Sequence, residues 1–211
     1  MEILPAILAK SVQDFEQKIN APLMQIAPFV HIDVMDNSFT AYRCISHPGL
    51  IPHTFKPQIE LHLMVNDPMS YLEEWVAHPA FTRATIHIES PCDHTRILLF
   101  NKSHGKETSF ALSPQTDPQI LSPFINDIKR ILVMGVSPGQ SGQSFLGEEV
   151  LAKIKHIRHL YPHHHIEVDG GITHTTVQQV QQSGAHSACA SSAIWNTTTD
   201  PITAYKRLTY L

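Results

Sequence analysis

Four side chains able to bind a metal stand at or near the ends of apolar runs: His31 and Asp33 in FVHIDVMD, His62 in IELHLMV and Asp169 in IEVDGG. His31 and Asp33 are two residues apart, and side chains of a strand alternate between its faces, so the pair points the same way. Two imidazoles with two carboxylates suit one borderline divalent ion: Zn²⁺, Fe²⁺, Mn²⁺ or Co²⁺. The three cysteines, Cys44, Cys92 and Cys189, have no metal-ligand spacing and offer no competing sulfur site.

Such a group needs elements that bring three distant segments together. Strand-like runs alternate with helix-like runs along the chain: EILPAIL then SVQDFEQKI, FVHIDVM, IELHLMV then PMSYLEEWVAH, ATIHIE then TRILLFNKSHG, SFALSP, RILVMGV then GEEVLAKIKHIRHLY, HIEVDGG then TTVQQVQQSG, and HSACASSA then DPITAYKRLTYL. Near-continuous apolar strands separated by helices imply parallel strands covered on both faces. Eight of them in 211 residues predict an α/β fold in which residues 1–211 form a single (β/α)8 TIM barrel, with a doubly wound open sheet as the rival. Ser11 with Asp14 predicts an N-terminal cap, Asp67 and Pro68 open the helix after the third strand, and Gly105 and Gly184 fall where helices should stop. AYRCISHPGLIPHTF has prolines and no clean period, so a loop-rich crossover is expected there. In a barrel of this kind the chemistry sits at the C-terminal ends of the strands, where the four candidates fall.

Three turns of small residues, VSPGQSGQSF, DGGI and SSAI, follow the sixth, seventh and eighth strand candidates. Backbone N–H groups converging from such turns bind a phosphate without a cationic side chain. The candidates are Gly139, Gly142, Gly170, Gly171, Ser191 and Ser192. A metal on one side of a mouth and a phosphate cradle on the other describe a chelating, phosphorylated substrate such as a sugar phosphate.

The bulk composition excludes other classes. A formal charge of −4, with Lys and Arg scattered, gives no nucleic-acid footprint. The N-terminal apolar stretch is broken by Pro5 and lacks a basic start, so neither a signal peptide nor a membrane span is expected. An odd number of cysteines favours a reducing compartment, read here as the cytoplasm. The run His163, His164 and His165 follows Tyr161 and Pro162 and reads as solvated loop rather than a ligand tract.

The motifs HIDVMD, ELHLMVNDP, HIES, SPQT, VMGVSPGQSGQSF and VDGGI, in this order and across the whole chain, resemble the ribulose-phosphate 3-epimerase family. The resemblance implies a (β/α)8 isomerase of the pentose phosphate pathway that interconverts D-ribulose 5-phosphate and D-xylulose 5-phosphate through an enediolate. It implies that His31, Asp33, His62 and Asp169 bind one divalent metal ion, that Asp33 and Asp169 are also the acid/base pair, and that Met35, Met64 and Met134 line the site. From residues alone those methionines could equally be core packing. The expected partner is a small-molecule sugar phosphate, with neither nucleic acid nor membrane and with a homo-oligomer left open.

The chain departs from the family pattern at five places around these groups. Ala6 stands where a serine is usual, Asn37 and Ser38 where glycine and histidine are usual, and Ser141 and Ser191 where glycines are usual. Asn37 can adopt the positive φ that glycine would supply. The altered segment leaves a hexulose 6-phosphate epimerase, or a sugar-phosphate-binding protein with little catalysis, as rival readings.

Overall fold

A computed structural model describes Met1–Tyr210; Leu211, counted above in the barrel and its last helix, lies outside the described residues. Eight strands form a closed barrel in chain order: β1 (Glu2–Ile7), β2 (Phe29–Met35), β3 (Gln58–Met64), β4 (Phe81–His87), β5 (Glu107–Leu112), β6 (Arg130–Met134), β7 (His165–Asp169) and β8 (Ser187–Ala190). Every neighbouring pair is parallel, and β1 pairs with β8 to close the ring, which decides against the open sheet.

Helices α1 (Val12–Ile19), α2 (Pro68–Trp75), α3 (His94–Ser103), α4 (Glu148–Leu160), α5 (His174–Gln182), the single-turn α6 (Ser192–Trp195) and α7 (Pro201–Thr209) pack outside. The sequence dictates their ends. The Ser11 side chain caps α1 at the Asp14 N–H, and Gly105 and Gly184 adopt positive φ just past α3 and α5. Asp67 precedes α2 without a side-chain cap bond, so there Pro68, with its preset φ, is the start signal that operates. No α-helix follows β2 or β5. Prolines break both crossovers into 3-10 turns, Pro48–Leu50 in one and Pro118–Leu121 and Ile125–Asp127 in the other.

Alternation along the strands sorts the core into two layers. Ile32, Leu61, Ile86, Val133 and Val168 face outward and form one apolar cluster with helix residues such as Phe15, Leu72, Trp75, Ile154 and Val177. The inward set is polar to an unusual degree: His31, Asp33, Glu60, His62, Arg83, Thr85, His87, Ser109, Glu167 and Ser187 are all buried. Barrel interiors are ordinarily filled by branched apolar side chains, so a polar interior has to be fully paired to be tolerated. The apolar inward residues, among them Leu4, Ala6, Leu132 and Met134, form only small separate clusters.

Candidate active site

Strand register delivers the four candidate ligands to one level. Asp33 pairs with His62 across β2 and β3, while Asp169 ends β7 beside Met134 and Cys189. One ligand atom from each of His31, Asp33, His62 and Asp169 lies within 4.8 Å of all the others. His62 Nδ1 is 3.1 Å from Asp33 Oδ1 and 3.4 Å from Asp169 Oδ2, and His31 Nε2 is 3.4 Å from Asp33 Oδ1.

Three observations fit this group to a divalent cation. His31 Nε2 is buried without a hydrogen-bond partner and faces Asp33 Oδ1 at 3.4 Å and Asp169 Oδ2 at 4.0 Å, a polar atom aimed into the group. The ring is held from behind by its other nitrogen, with Nδ1 2.7 Å from Glu60 Oε1, the carboxylate–histidine arrangement that orients metal-ligating imidazoles. Burial alone would raise the Asp33 carboxyl, yet the His31 and His62 imidazoles beside it hold it well below the usual range. Burial would likewise lower His62, but hydrogen bonds to Asp169 and Asp33 raise it. The site thus gathers positive charge onto its carboxylates, which is the demand a divalent ion would meet.

A second cluster, His31, Glu60, Glu167 and Cys189, lies deeper in the barrel. It already has its cation. Arg83 Nε donates to Glu60 and its Nη2 is 3.5 Å from Glu167. Burial, then the neighbouring Glu60, pushes Glu167 up, so the two carboxyls present about one negative charge to one guanidinium. Ser187 Oγ donates to Glu167 at 2.6 Å. This is a support for His31, not a metal centre.

The six small residues expected to hold a phosphate are brought together. Gly139, Gly142, Gly170, Gly171, Ser191 and Ser192 line one pocket with Asp33, Asp169, Met64 and Met134. Met35 lines the adjoining cleft of about 930 Å³ and is packed with Met64, Cys44, Leu8 and Phe39. Gly139, Gly170 and Gly171 are demanded by packing as well. A Cβ on Gly171, at φ 70°, would stand 2.7 Å from Phe145 Cα, and one on Gly139 would stand 2.6 Å from Tyr42 Cδ2.

The departures settle into definite roles. Asn37 is the one non-glycine residue with positive φ among the described residues, at 65°, so the turn survives its substitution. Ser38 ties this loop to the turn after β3: its Oγ accepts from the Asn66 N–H at 2.9 Å and its carbonyl accepts from Asn66 Nδ2 at 3.0 Å. Ala6 is buried beside His31, and its carbonyl accepts from Trp195 Nε1 at 2.8 Å. Ser191 has φ −105°, which any residue can adopt, and Ser141 lines the pocket mouth.

Sequence reasoning missed the residues behind the candidate ligands: Glu60, Arg83, His87, Glu89, Glu167 and Cys189. The signal was present, because Glu60 precedes His62, and Glu167 precedes Asp169, by the same spacing of two that paired His31 with Asp33. The histidine run is only partly loop. His165 opens β7, its Nε2–H donating to Ser187 Oγ at 2.7 Å, and stacks on His186, while His164 Nε2 donates to the Ile125 carbonyl at 2.9 Å.

A closed parallel barrel whose C-terminal mouth pairs a metal-capable group with small-residue loops is a (β/α)8 enzyme scaffold. Solved structures with this fold include the tryptophan synthase α-subunit of Pyrococcus furiosus, here a mutant, with TM-score 0.74 at 13% identity, covering 98% of this chain and 96% of that one. A 3-hexulose-6-phosphate synthase matches with TM-score 0.69 at 18% identity over 100% of this chain and 99% of the other. These likenesses concern the fold alone. The model of the "Ribulose-phosphate 3 epimerase family" matches residues 2–195. Relatives named ribulose-phosphate 3-epimerase include that of Schizosaccharomyces pombe, 30% identical over 92% of this chain and 87% of its own length, and that of Bacillus subtilis, 30% identical over 92% of each. One from Oryza sativa, the "cytoplasmic isoform", is 31% identical over 92% of this chain and 87% of its own length. The chain belongs to the ribulose-phosphate 3-epimerase family and is an isomerase. No helix among the described residues is long and apolar enough to cross a membrane.

Proposed function

We propose that this isomerase interconverts D-ribulose 5-phosphate and D-xylulose 5-phosphate by moving the C3 proton between the two faces of the sugar, with Asp33 and Asp169 as the acid/base pair. The observation that carries this reading is convergence. Two carboxylates from strands three places apart around the barrel reach the same imidazole, His62, at 3.1 and 3.4 Å, and both line the pocket formed by the small-residue loops.

Epimerisation beside a ketone needs one group to remove a proton and another to return it from the opposite side. Asp33, kept ionised by the His31 and His62 imidazoles beside it, is ready to accept a proton in one direction. Asp169 serves in the other. Backbone N–H groups around Gly139, Gly142, Gly170, Gly171, Ser191 and Ser192 hold the phosphate and so fix the carbon between the carboxylates. The methionines Met35, Met64 and Met134 give the site apolar walls that keep water from the exchanging proton. A divalent ion held by His31, Asp33, His62 and Asp169 supplies fixed positive charge against the negative charge that develops on the ketone oxygen. A cytoplasmic location is supported by the free cysteines and by the designation of the rice relative.

The test is to purify the protein without chelator, quantify its metal, and follow ribulose 5-phosphate conversion and solvent deuterium uptake at C3 before and after metal removal. We expect bound metal, deuterium incorporation, and turnover lost on stripping and regained on reloading. Turnover retained without metal would overturn the metal dependence, faster turnover of a hexulose 6-phosphate would reassign the substrate, and no deuterium uptake would reduce the protein to a binder.

A further inference from the structure

The two candidate histidine ligands are backed differently. His31 meets the Glu60 carboxylate directly, whereas His62 turns its rear nitrogen, Nε2, to a second imidazole, His87 Nε2, at 3.0 Å. His87 Nδ1 lies 3.2 Å from Glu89 Oε2, just past the end of β4. Glu89 Oε1 accepts from the Ser113 N–H at 2.8 Å and from the Thr116 hydroxyl. We propose that Glu89 and His87 are positioning residues that set the tautomer of His62 and so turn the Nδ1 lone pair of His62 toward the metal group. The inference rests on the metal-dependent reading above and deepens it.

The argument is a proton count. Two imidazole nitrogens 3.0 Å apart share one proton, so the pair has two polarities. In one, His62 Nε2–H donates to a bare His87 Nε2. Neutral His87 then carries its proton on Nδ1, where it donates to Glu89, and His62 Nδ1 is free to give its lone pair to an ion held with Asp33 and Asp169, in place of the N–H contacts it makes to them without one.

In the other polarity His87 Nε2–H donates to His62. A neutral His87 would then aim a lone pair at the Glu89 carboxylate, or a charged one would add a buried cation beside the site. Either way His62 would present an N–H, which cannot ligate, to the metal group. The two donors on its other oxygen hold Glu89 as the ionised carboxylate, which can only accept, so it does not exchange roles with His87. The anionic end therefore orders every proton up to the metal ligand. Phe39, its ring 4.7 Å from that of His87, packs against the imidazole and holds it in place.

Long-range ¹H–¹⁵N correlation spectra of the Zn²⁺-loaded wild-type protein read the tautomers directly. We expect His87 protonated on Nδ1 and His62 on Nε2. In parallel, Glu89→Gln and His87→Gln should each weaken Zn²⁺ affinity by about 10- to 100-fold and shift the visible spectrum of the Co²⁺-loaded protein. Glu89→Asp should restore part of the affinity, and the Glu89→Gln/His87→Gln double variant should be no worse than the poorer single one, because both act through one chain. A His87 protonated on Nε2 in the loaded wild type would overturn the proposal, and so would unchanged Zn²⁺ affinity and Co²⁺ spectra in both single variants. Failure of the wild-type protein to take up either ion would instead overturn the metal-dependent reading on which this one stands.

Discussion

Asp169 ends β7 with its carboxylate 3.4 Å from His62 Nδ1 and 4.0 Å from His31 Nε2, so it belongs at once to the candidate ligand group and to the wall of the pocket lined by the small-residue loops. Replacing it with Asn keeps the volume and removes both the charge and the proton-accepting oxygen. Asp169→Asn should lower turnover by roughly 10² to 10⁴-fold, the usual contribution of a positioned acid/base group, and should lower the metal retained through purification. Full activity with undiminished metal would remove Asp169 from the mechanism. At this scale the sequence was readable where chemical types stood on inward strand positions near the barrel mouth, as for the four candidate ligands that the structure brings together. It was not readable one layer deeper. The strand read as ATIHIE begins in fact at Phe81, three residues earlier, and that shortening hid Arg83, the cation between Glu60 and Glu167.

The elements matter through their ends. Thr173 caps α5 in a reciprocal box: its side chain accepts from the Thr176 N–H at 3.3 Å, and Thr176 Oγ1 accepts from the Thr173 N–H at 2.8 Å. Thr176 Oγ1 also donates to the Gly171 carbonyl at 2.8 Å, so the cap braces the glycine turn that faces the pocket. Thr173→Ala should cost about 1 kcal/mol of stability, as loss of such a cap does, and should raise the KM for the phosphorylated substrate more than it lowers kcat. Urea unfolding with steady-state kinetics checks both, and Thr173→Ser should behave as wild type. Element order and the loop-rich second crossover were legible because periodicity and proline act locally. The polar filling of the barrel was not, since it depends on register between strands far apart in sequence, such as Asp33 opposite His62.

For the molecule as a whole, acid sensitivity follows from the N-terminal face of the barrel. Burial, then the charges of Arg130 and His186, pushes His165 down to about 3 from an ordinary 6.5. The unfolded chain therefore takes up this proton before the folded one does, and the folded state loses stability as pH falls from about 6.5 toward 3. His186 is shifted in the same direction, by burial and then by Arg158. Unfolding midpoints should drop between pH 7 and pH 5, and the drop should be smaller in His165→Gln; an equal slope in that variant would exclude His165 as a source.

The charged column inside the barrel also constrains how this chain can diverge. Losing Arg83 alone would leave Glu60 and Glu167 facing each other in a dry interior, and losing Glu60 alone would strand the guanidinium and release His31. Positions 60, 83 and 167 are therefore bound to change as a set, and descendants of this sequence should carry either the whole triad or an apolar replacement of all three, with single-position intermediates counter-selected.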